Sequence, residues 1–189
     1  GHWRLGIGSG DEVITVANTF VGTLLPILRT GATPVLVDCL NDVLNIDPDQ
    51  VAAAITPRTK AIVPVHLYGQ PAEMDAIMSI AKKHGLFVVE DCAQAHFARY
   101  KNRLVGTIGN VGTFSFYPGK NLGAYGDAGA IIFNDLKIAR RARMFANHGS
   151  LNKHRHELEG INSRMDGIQA AVLLAKLKIF SKLSWYSKN

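Results

Sequence analysis

The sequence predicts a three-layer α/β fold: a mostly parallel, mixed sheet with helices on both faces. Three observations point there. Short apolar runs alternate with helical patterns along the chain. The runs are continuously apolar, as strands covered on both faces are. The 189 residues, 47% of them hydrophobic, are enough to build one core without disulfides or metals. In a sheet of this kind ligands sit at the carboxyl ends of the strands, so chemistry is expected there.

The elements follow in order. Residues 12–17 read as a strand, 20–29 as a helix closed by Gly31, and 34–38 as a second strand. Asp47-Pro48 opens a short helix, with Asp47 as N-cap and proline at the first helical position. Residues 60–66 form a third strand. The helix over 71–84 carries Ala76, Ile77, Ile80 and Ala81 on one face and stops at Gly85. Residues 86–90, 111–116 and 128–133 read as further strands, 136–147 as a basic helix and 165–180 as a helix with an apolar stripe of Ile168, Ala171, Val172, Ala175 and Ile179. Residues 181–189 have no evident place in a core and read as a tail.

Composition excludes several classes. The apolar content is too high for a disordered chain, and no run of ~18 apolar residues exists to span a membrane. The start, Gly1-His2-Trp3-Arg4-Leu5-Gly6, lacks the charged and apolar regions of a signal peptide. Cys39 and Cys92 form neither a CxxC pair nor a disulfide framework and read as buried thiols of a reducing, cytoplasmic compartment. The net charge is +6, but the basic residues are spread out except at 137–143 and 153–155, so a solvated helix face and a basic loop are expected instead of a nucleic-acid surface. Mild positive charge also suits a protein that handles phosphorylated small molecules.

Some motifs carry no chemistry. Gly6-x-Gly8-x-Gly10 precedes a strand, whereas a dinucleotide fingerprint follows one, so it reads as a turn. His148, His154 and His156 lack supporting ligands and read as a surface loop, with no metal. Two other segments are informative together. Val88-Val89-Glu90-Asp91-Cys92-Ala93-Gln94-Ala95-His96 places an aspartate just past an apolar strand. The segment 112–130 carries one lysine, Lys120, among Gly119, Gly123, Gly126 and Gly129, after a strand bearing Ser115. It does not match a P-loop. A partly desolvated lysine can act as an amine nucleophile, and pyridoxal phosphate needs such a lysine, an acid facing its pyridine nitrogen and hydroxyl or N–H donors for its phosphate.

From about Leu5 to Leu177 the chain resembles the DegT/DnrJ/StrS-type sugar aminotransferases, which are fold type I pyridoxal-phosphate enzymes. The matching stretches are GDEVITVANTF, GATPVLVD, ITPRTKAIVPVHLYGQPAEMDAI, VVEDCAQAH, GTFSFYPGKNLGAYGDAGAI and NSRMDGIQAA. The resemblance implies an aspartate-aminotransferase-like large domain over 1–180. It implies that Lys120 binds the cofactor covalently, Asp91 pairs with the pyridine nitrogen, Gln94 lies beside the ring near its hydroxyl and Ser115 binds the phosphate. Phe20 matches the aromatic that stacks on the ring. Asn162 matches an asparagine that reaches the cofactor of a partner subunit, so a homodimer with shared active sites is implied. Lysine at 120 sets the chain apart from dehydratase relatives, which have histidine there.

The implied activity moves an amino group from an amino acid, glutamate by expectation, to a nucleotide-linked keto-sugar. The alternative is an inactive fragment or a non-catalytic binding module that keeps the fold. The family extends further in both directions, so a phosphate-binding helix start and a small carboxyl-terminal domain are expected outside this chain. Two departures stand out: Phe97, where the family usually has glycine, and Ile161, where an aromatic is common before the asparagine.

Overall fold

A computed structural model describes residues 6–152 and 154–186. Gly1–Leu5, Lys153 of the basic loop and the last three residues of the expected tail lie outside the described residues.

Six strands form one sheet: β1 (Glu12–Val16), β2 (Thr33–Val37), β3 (Thr59–Val63), β4 (Phe87–Asp91), β7 (Val111–Ser115) and β8 (Gly129–Phe133). Their spatial order is β2-β1-β3-β4-β7-β8. All neighbours run parallel except β7 and β8, so the sheet is mixed with an antiparallel edge. A small hairpin of β5 (Arg99–Tyr100) and β6 (Arg103–Leu104) lies outside it. Sequence reading did not foresee this hairpin, because two-residue strands carry no periodicity.

The period-two pleat splits the strand residues between two cores. Ile14, Val16, Ile62 and Val88 pack with Val51 of α2 (Pro48–Ala53) and with Met74, Ile77 and Ala81 of α3 (Met74–His84). Val13, Ala61, Val63, Val89 and Val111 pack on the opposite face with Ile7 and with Ile27 of α1 (Leu24–Leu28). The predicted three-layer architecture is therefore present. The second layer is thin, because the helix expected over 20–29 is a 3-10 turn, Val21–Thr23, followed by five α-helical residues. Asp47 caps α2 as expected, accepting from Asp49 N–H at 2.9 Å.

The basic helix is α4 (Leu136–Phe145), capped by Asp135 and packed at the β8 edge. The last helix, α5 (Gly167–Tyr186), continues past the expected boundary at residue 180. Its apolar stripe faces outward, with Ile168 75% and Ile179 62% exposed. A different face, with Leu173 buried, meets the rest of the chain. No helix among the described residues is long and apolar enough to cross a membrane. Gly8 N–H donates to Asp11 Oδ2 and Asp11 N–H to the Gly8 carbonyl, which makes the glycine-rich start a turn into β1. His148, His154 and His156 are all exposed. Of the two thiols only Cys92 is buried; Cys39, on a bridge to Ile46, is partly open.

Candidate active site at the carboxyl ends of the strands

Asp91 ends β4, and Ser115 ends the parallel neighbour β7, whose Thr113 is in register with Asp91. Both therefore sit at one end of the sheet. Asp91 Oδ1 accepts from Ala93 N–H at 3.0 Å, an arrangement local to the turn that leaves the strand. Asp91 Oδ2 accepts from Thr23 Oγ1–H at 2.9 Å, and Thr23 shares a 2.8 Å hydrogen bond with Thr19. Two hydroxyls thus tie the start of the first helical segment to the strand-end carboxylate. Phe20 lies between those threonines in sequence, with its ring 73% exposed.

Three residues after Asp91, Gln94 Oε1 accepts from Tyr68 N–H at 2.8 Å. Tyr68 has φ 53° and ψ 24°, the left-handed region, and its ring is exposed. Tyr68 and Gln94 face Gly119, Lys120 and Asn121 across an open cavity of about 310 Å³. That volume is in the range of small-ligand sites. The Lys120 segment is a tight loop: Lys120 N–H donates to the Tyr117 carbonyl at 2.9 Å and Ala124 N–H to the Phe116 carbonyl at 2.8 Å. A Cβ on Gly123 would lie 2.4 Å from the Pro118 carbonyl, so only glycine closes the loop there.

His96 sits beneath this loop, 8% exposed and between the rings of Phe114 and Phe116. Its Nε2 lies 2.9 Å from the Ser115 carbonyl, so Nε2–H donates there, and its buried Nδ1 has no hydrogen-bond partner. Burial holds the imidazole below its ordinary value; the Ser115 carbonyl opposes this, and the positive charge of Lys120 adds to the lowering. Ser115 Oγ accepts from Tyr117 N–H at 3.3 Å.

The fold thus brings Lys120 and Gln94 to one cavity and places Asp91 and Ser115 at the same sheet end. Asn162 lies elsewhere. It forms a bridge with Asn147 on an exposed segment, and its Oδ1 accepts from Arg164 Nε–H at 3.0 Å. Sequence reading missed Thr23 and Tyr68. A threonine in a helical segment carries no mark of its partner 68 residues away. The only cue at Tyr68 is Gly69 after it, a turn signal. Phe97 has φ 62°, which explains why glycine suits this position.

Behind Asp91 lies a different carboxylate. Glu90 is fully buried; its Oε2 accepts from Gly106 N–H at 2.7 Å and from His66 Nε2–H at 3.0 Å. Its Oε1 accepts from Ile108 N–H at 2.8 Å and Gly109 N–H at 2.6 Å. His66 Nδ1 accepts from Ala72 N–H, which fixes the tautomer. With Cys92 these two form the one candidate metal cluster among the described residues. The hydrogen bonds of Glu90 and His66 already fill the positions a cation would need. Burial, then the charges of Glu90 and Asp91, push the Cys92 thiol far up and keep it protonated.

The family profile of the DegT/DnrJ/EryC1/StrS aminotransferases matches residues 3–186. The chain belongs to this family. It is 54% identical over 173 residues to the dTDP-3-amino-3,4,6-trideoxy-alpha-D-glucose transaminase of Streptomyces venezuelae, covering 92% of this chain and 46% of that protein. The X-ray structure of S. venezuelae DesV in complex with a ketimine intermediate superposes with a TM-score of 0.92 at 52% identity, covering 95% of this chain and 48% of that one. The Bacillus subtilis NtdA structure with bound cofactor PMP gives 0.88 at 39% identity, covering 95% and 41%. The chain spans about half the length of the curated relatives it matches. Membership in an aminotransferase family gives the strand-end cluster its context: a lysine in a glycine-closed loop and a carboxylate held by two donors.

Proposed function

We propose that this chain is most of the cofactor-binding large domain of a cytoplasmic, pyridoxal-5′-phosphate-dependent aminotransferase. In this reading the whole protein moves an amino group from an amino acid, glutamate by preference, to a nucleotide-linked keto-sugar. The observation that carries the reading is Lys120 facing Gln94 across one cavity, beside the strand end that bears Asp91. The donor set suits the cofactor. Each Asp91 oxygen accepts one hydrogen bond among the described residues, which leaves lone pairs for a pyridine N–H. The Ser115 hydroxyl can still donate, because its oxygen acts as acceptor to Tyr117.

Bound there, pyridoxal phosphate supplies an aldehyde carbon to carry the amino group and an electron-withdrawing ring that eases loss of a proton from the substrate Cα. The chain's own residues do the rest. Lys120 Nζ is the nucleophile that anchors the cofactor and, once released, carries the proton between substrate and cofactor carbons. Asp91, fixed by Thr23 and Ala93, keeps the pyridine nitrogen protonated by charge pairing. Gln94 sits beside the ring hydroxyl, Ser115 holds the phosphate, and Phe20 covers a ring face. Asn162 reaches the neighbouring site in a homodimer with shared active sites, and its place on an exposed segment is consistent with that role.

Net, the amino acid becomes a 2-keto acid and the keto-sugar an amino-sugar. The binding-module alternative leaves Lys120 and its glycine-closed loop without a purpose. The reading is tested by adding pyridoxal phosphate, reducing with borohydride and mapping the pyridoxyl label by peptide mass spectrometry. The label is expected on Lys120; labelling spread over surface lysines with Lys120 untouched would refute the assignment.

A further inference from the structure

The loop that carries Lys120 has two sides. Residues 119–121 line the cavity, whereas 122–126 rest on α5, a helix that begins more than forty residues later. Three α5 residues meet it at spacing i, i+4, i+7, one stripe of the helix. Gln169 Oε1 accepts from Tyr125 N–H at 2.9 Å. Leu173 is buried with Leu122 and Ala124. Lys176 Nζ donates to the Gly123 carbonyl at 2.6 Å and lies 4.9 Å from the centre of the Tyr125 ring, a cation–π distance. A Cβ on Gly126 would come within 2.8 Å of Gln169 Nε2, so the loop backbone approaches the amide closely.

Two polar side chains flanking buried Leu173 on the inward face of α5 need a reason. Each spends its polar atom on a backbone group of this one loop. The apolar stripe that helical periodicity picks out points the other way. Gly123 is also where the loop folds back on Pro118, two residues before Lys120. A carbonyl held at Gly123 therefore constrains the turn from which Lys120 projects.

We propose that Gln169 and Lys176 are positioning residues: from α5 they clamp the outer half of the 117–126 loop and so fix where Lys120 meets the cofactor. The proposal rests on the reading of Lys120 as the cofactor lysine.

The test uses the full chain with Lys176→Met, Gln169→Leu and the conservative Lys176→Arg, which keeps a donor and a cation over Tyr125. Two quantities are read: amide hydrogen exchange at residues 120–126, and the rate of borohydride-fixed pyridoxyl labelling at Lys120 with pyridoxal phosphate as probe. In Lys176→Met and Gln169→Leu, exchange at 120–126 is expected to quicken about tenfold and labelling to slow about tenfold, with exchange in β1, β3 and β4 unchanged. Lys176→Arg is expected to restore most of both.

Wild-type exchange and labelling in both variants overturn the proposal. So does exchange that quickens equally throughout the sheet, which would make the contacts general supports of the fold. Equal losses in Lys176→Met and Lys176→Arg also overturn the part given to Lys176. If the wild-type chain takes no label at Lys120, the cofactor reading fails, and loop exchange alone then decides whether the clamp exists.

Discussion

Glu90→Gln is nearly isosteric, yet it should be among the costlier single changes in this chain. The carboxylate is fully buried and accepts four hydrogen bonds, two on each oxygen. All four partners are donors, because His66 Nδ1 is occupied by Ala72 N–H and its proton must sit on Nε2. Glutamine offers one acceptor oxygen and one donor amide. Whichever way it turns, two buried donors face N–H groups. Each buried unsatisfied group costs ~1–3 kcal/mol, so the loss should be ~2–6 kcal/mol from a total stability of ~5–15 kcal/mol. Urea unfolding near neutral pH, with wild type and variant compared at fixed slope, measures it. A loss below ~1 kcal/mol would refute the hydrogen-bond accounting.

The same pair of proteins gives a pH signature. Burial alone would raise the Glu90 carboxyl, but the hydrogen bonds from His66, Gly109 and Gly106 outweigh it and hold the group below its ordinary 4.5. The folded state therefore binds fewer protons than the unfolded state, and this stabilisation is present above about pH 4.5 and fades as pH falls through the folded value. The gap between wild type and Glu90→Gln should accordingly be full at neutral pH and narrow in acid. The depressed His96 and Glu12 groups also weaken the fold in acid, but they are common to both proteins and cancel in the difference.

Other predictions follow from the site. Lys120→Ala should abolish pyridoxyl labelling at that loop while shifting the thermal midpoint little, since Lys120 is half-buried outside any strand; undiminished labelling of the 117–126 peptide would sink the assignment. In the full-length protein that carries this chain, Asp91→Asn should retain cofactor binding but lose several kcal/mol of barrier lowering, each ~1.4 kcal/mol being tenfold in rate; steady-state turnover within about threefold of wild type would contradict the role. Phe97→Gly should be more stable than Phe97→Ala by ~1 kcal/mol, because a left-handed backbone at φ 62° costs a side-chain-bearing residue ~1–2 kcal/mol. An alanine variant equal to or better than glycine in urea unfolding would remove the strain argument.

The layered fold was legible because each strand is a short apolar run and each main helix carries its own stop or cap, as at Asp47 and Gly85. What failed to show was whatever depends on partners distant in sequence. The segment after Phe20 has helical composition, but it forms a 3-10 turn and five α-helical residues, and Pro26 has no N–H to offer the Gly22 carbonyl. In α5 the apolar periodicity marked the stripe of Ile168, Ala171, Val172, Ala175 and Ile179, which faces outward, whereas the inner contacts of Gln169 and Lys176 are polar, satisfy backbone groups of a loop and carried no such mark. Lys120, Asp91, Gln94 and Ser115 stood out through motif and strand-end position. Thr23 and Tyr68 did not, since their relevance exists only once the chain is folded.

The adjacent pair Glu90-Asp91 shows why position in a pleat matters more than residue type. In sequence the two acids are neighbours at one strand end, and the pleat gives them different surroundings. Along β4 the side chains alternate: Val88 packs in the α2–α3 core and Val89 in the α1 core. Continuing the alternation puts Glu90 on the first face, where His66 and the 106–109 backbone consume every lone pair. Asp91 falls on the second, beside Thr23 at the start of the first helical segment, with acceptor capacity to spare. A one-residue slip of β4 would turn each acid to the opposite face of the sheet. A slip that brings Asp91 to the Glu90 position would bury an acid one methylene too short to reproduce the contacts of Glu90, and would carry Glu90 to the Val89 position in the α1 core. The buried hydrogen bonds of Glu90, with the packing of Val88 and Val89, thus favour the observed register, in which Asp91 keeps acceptor capacity to spare.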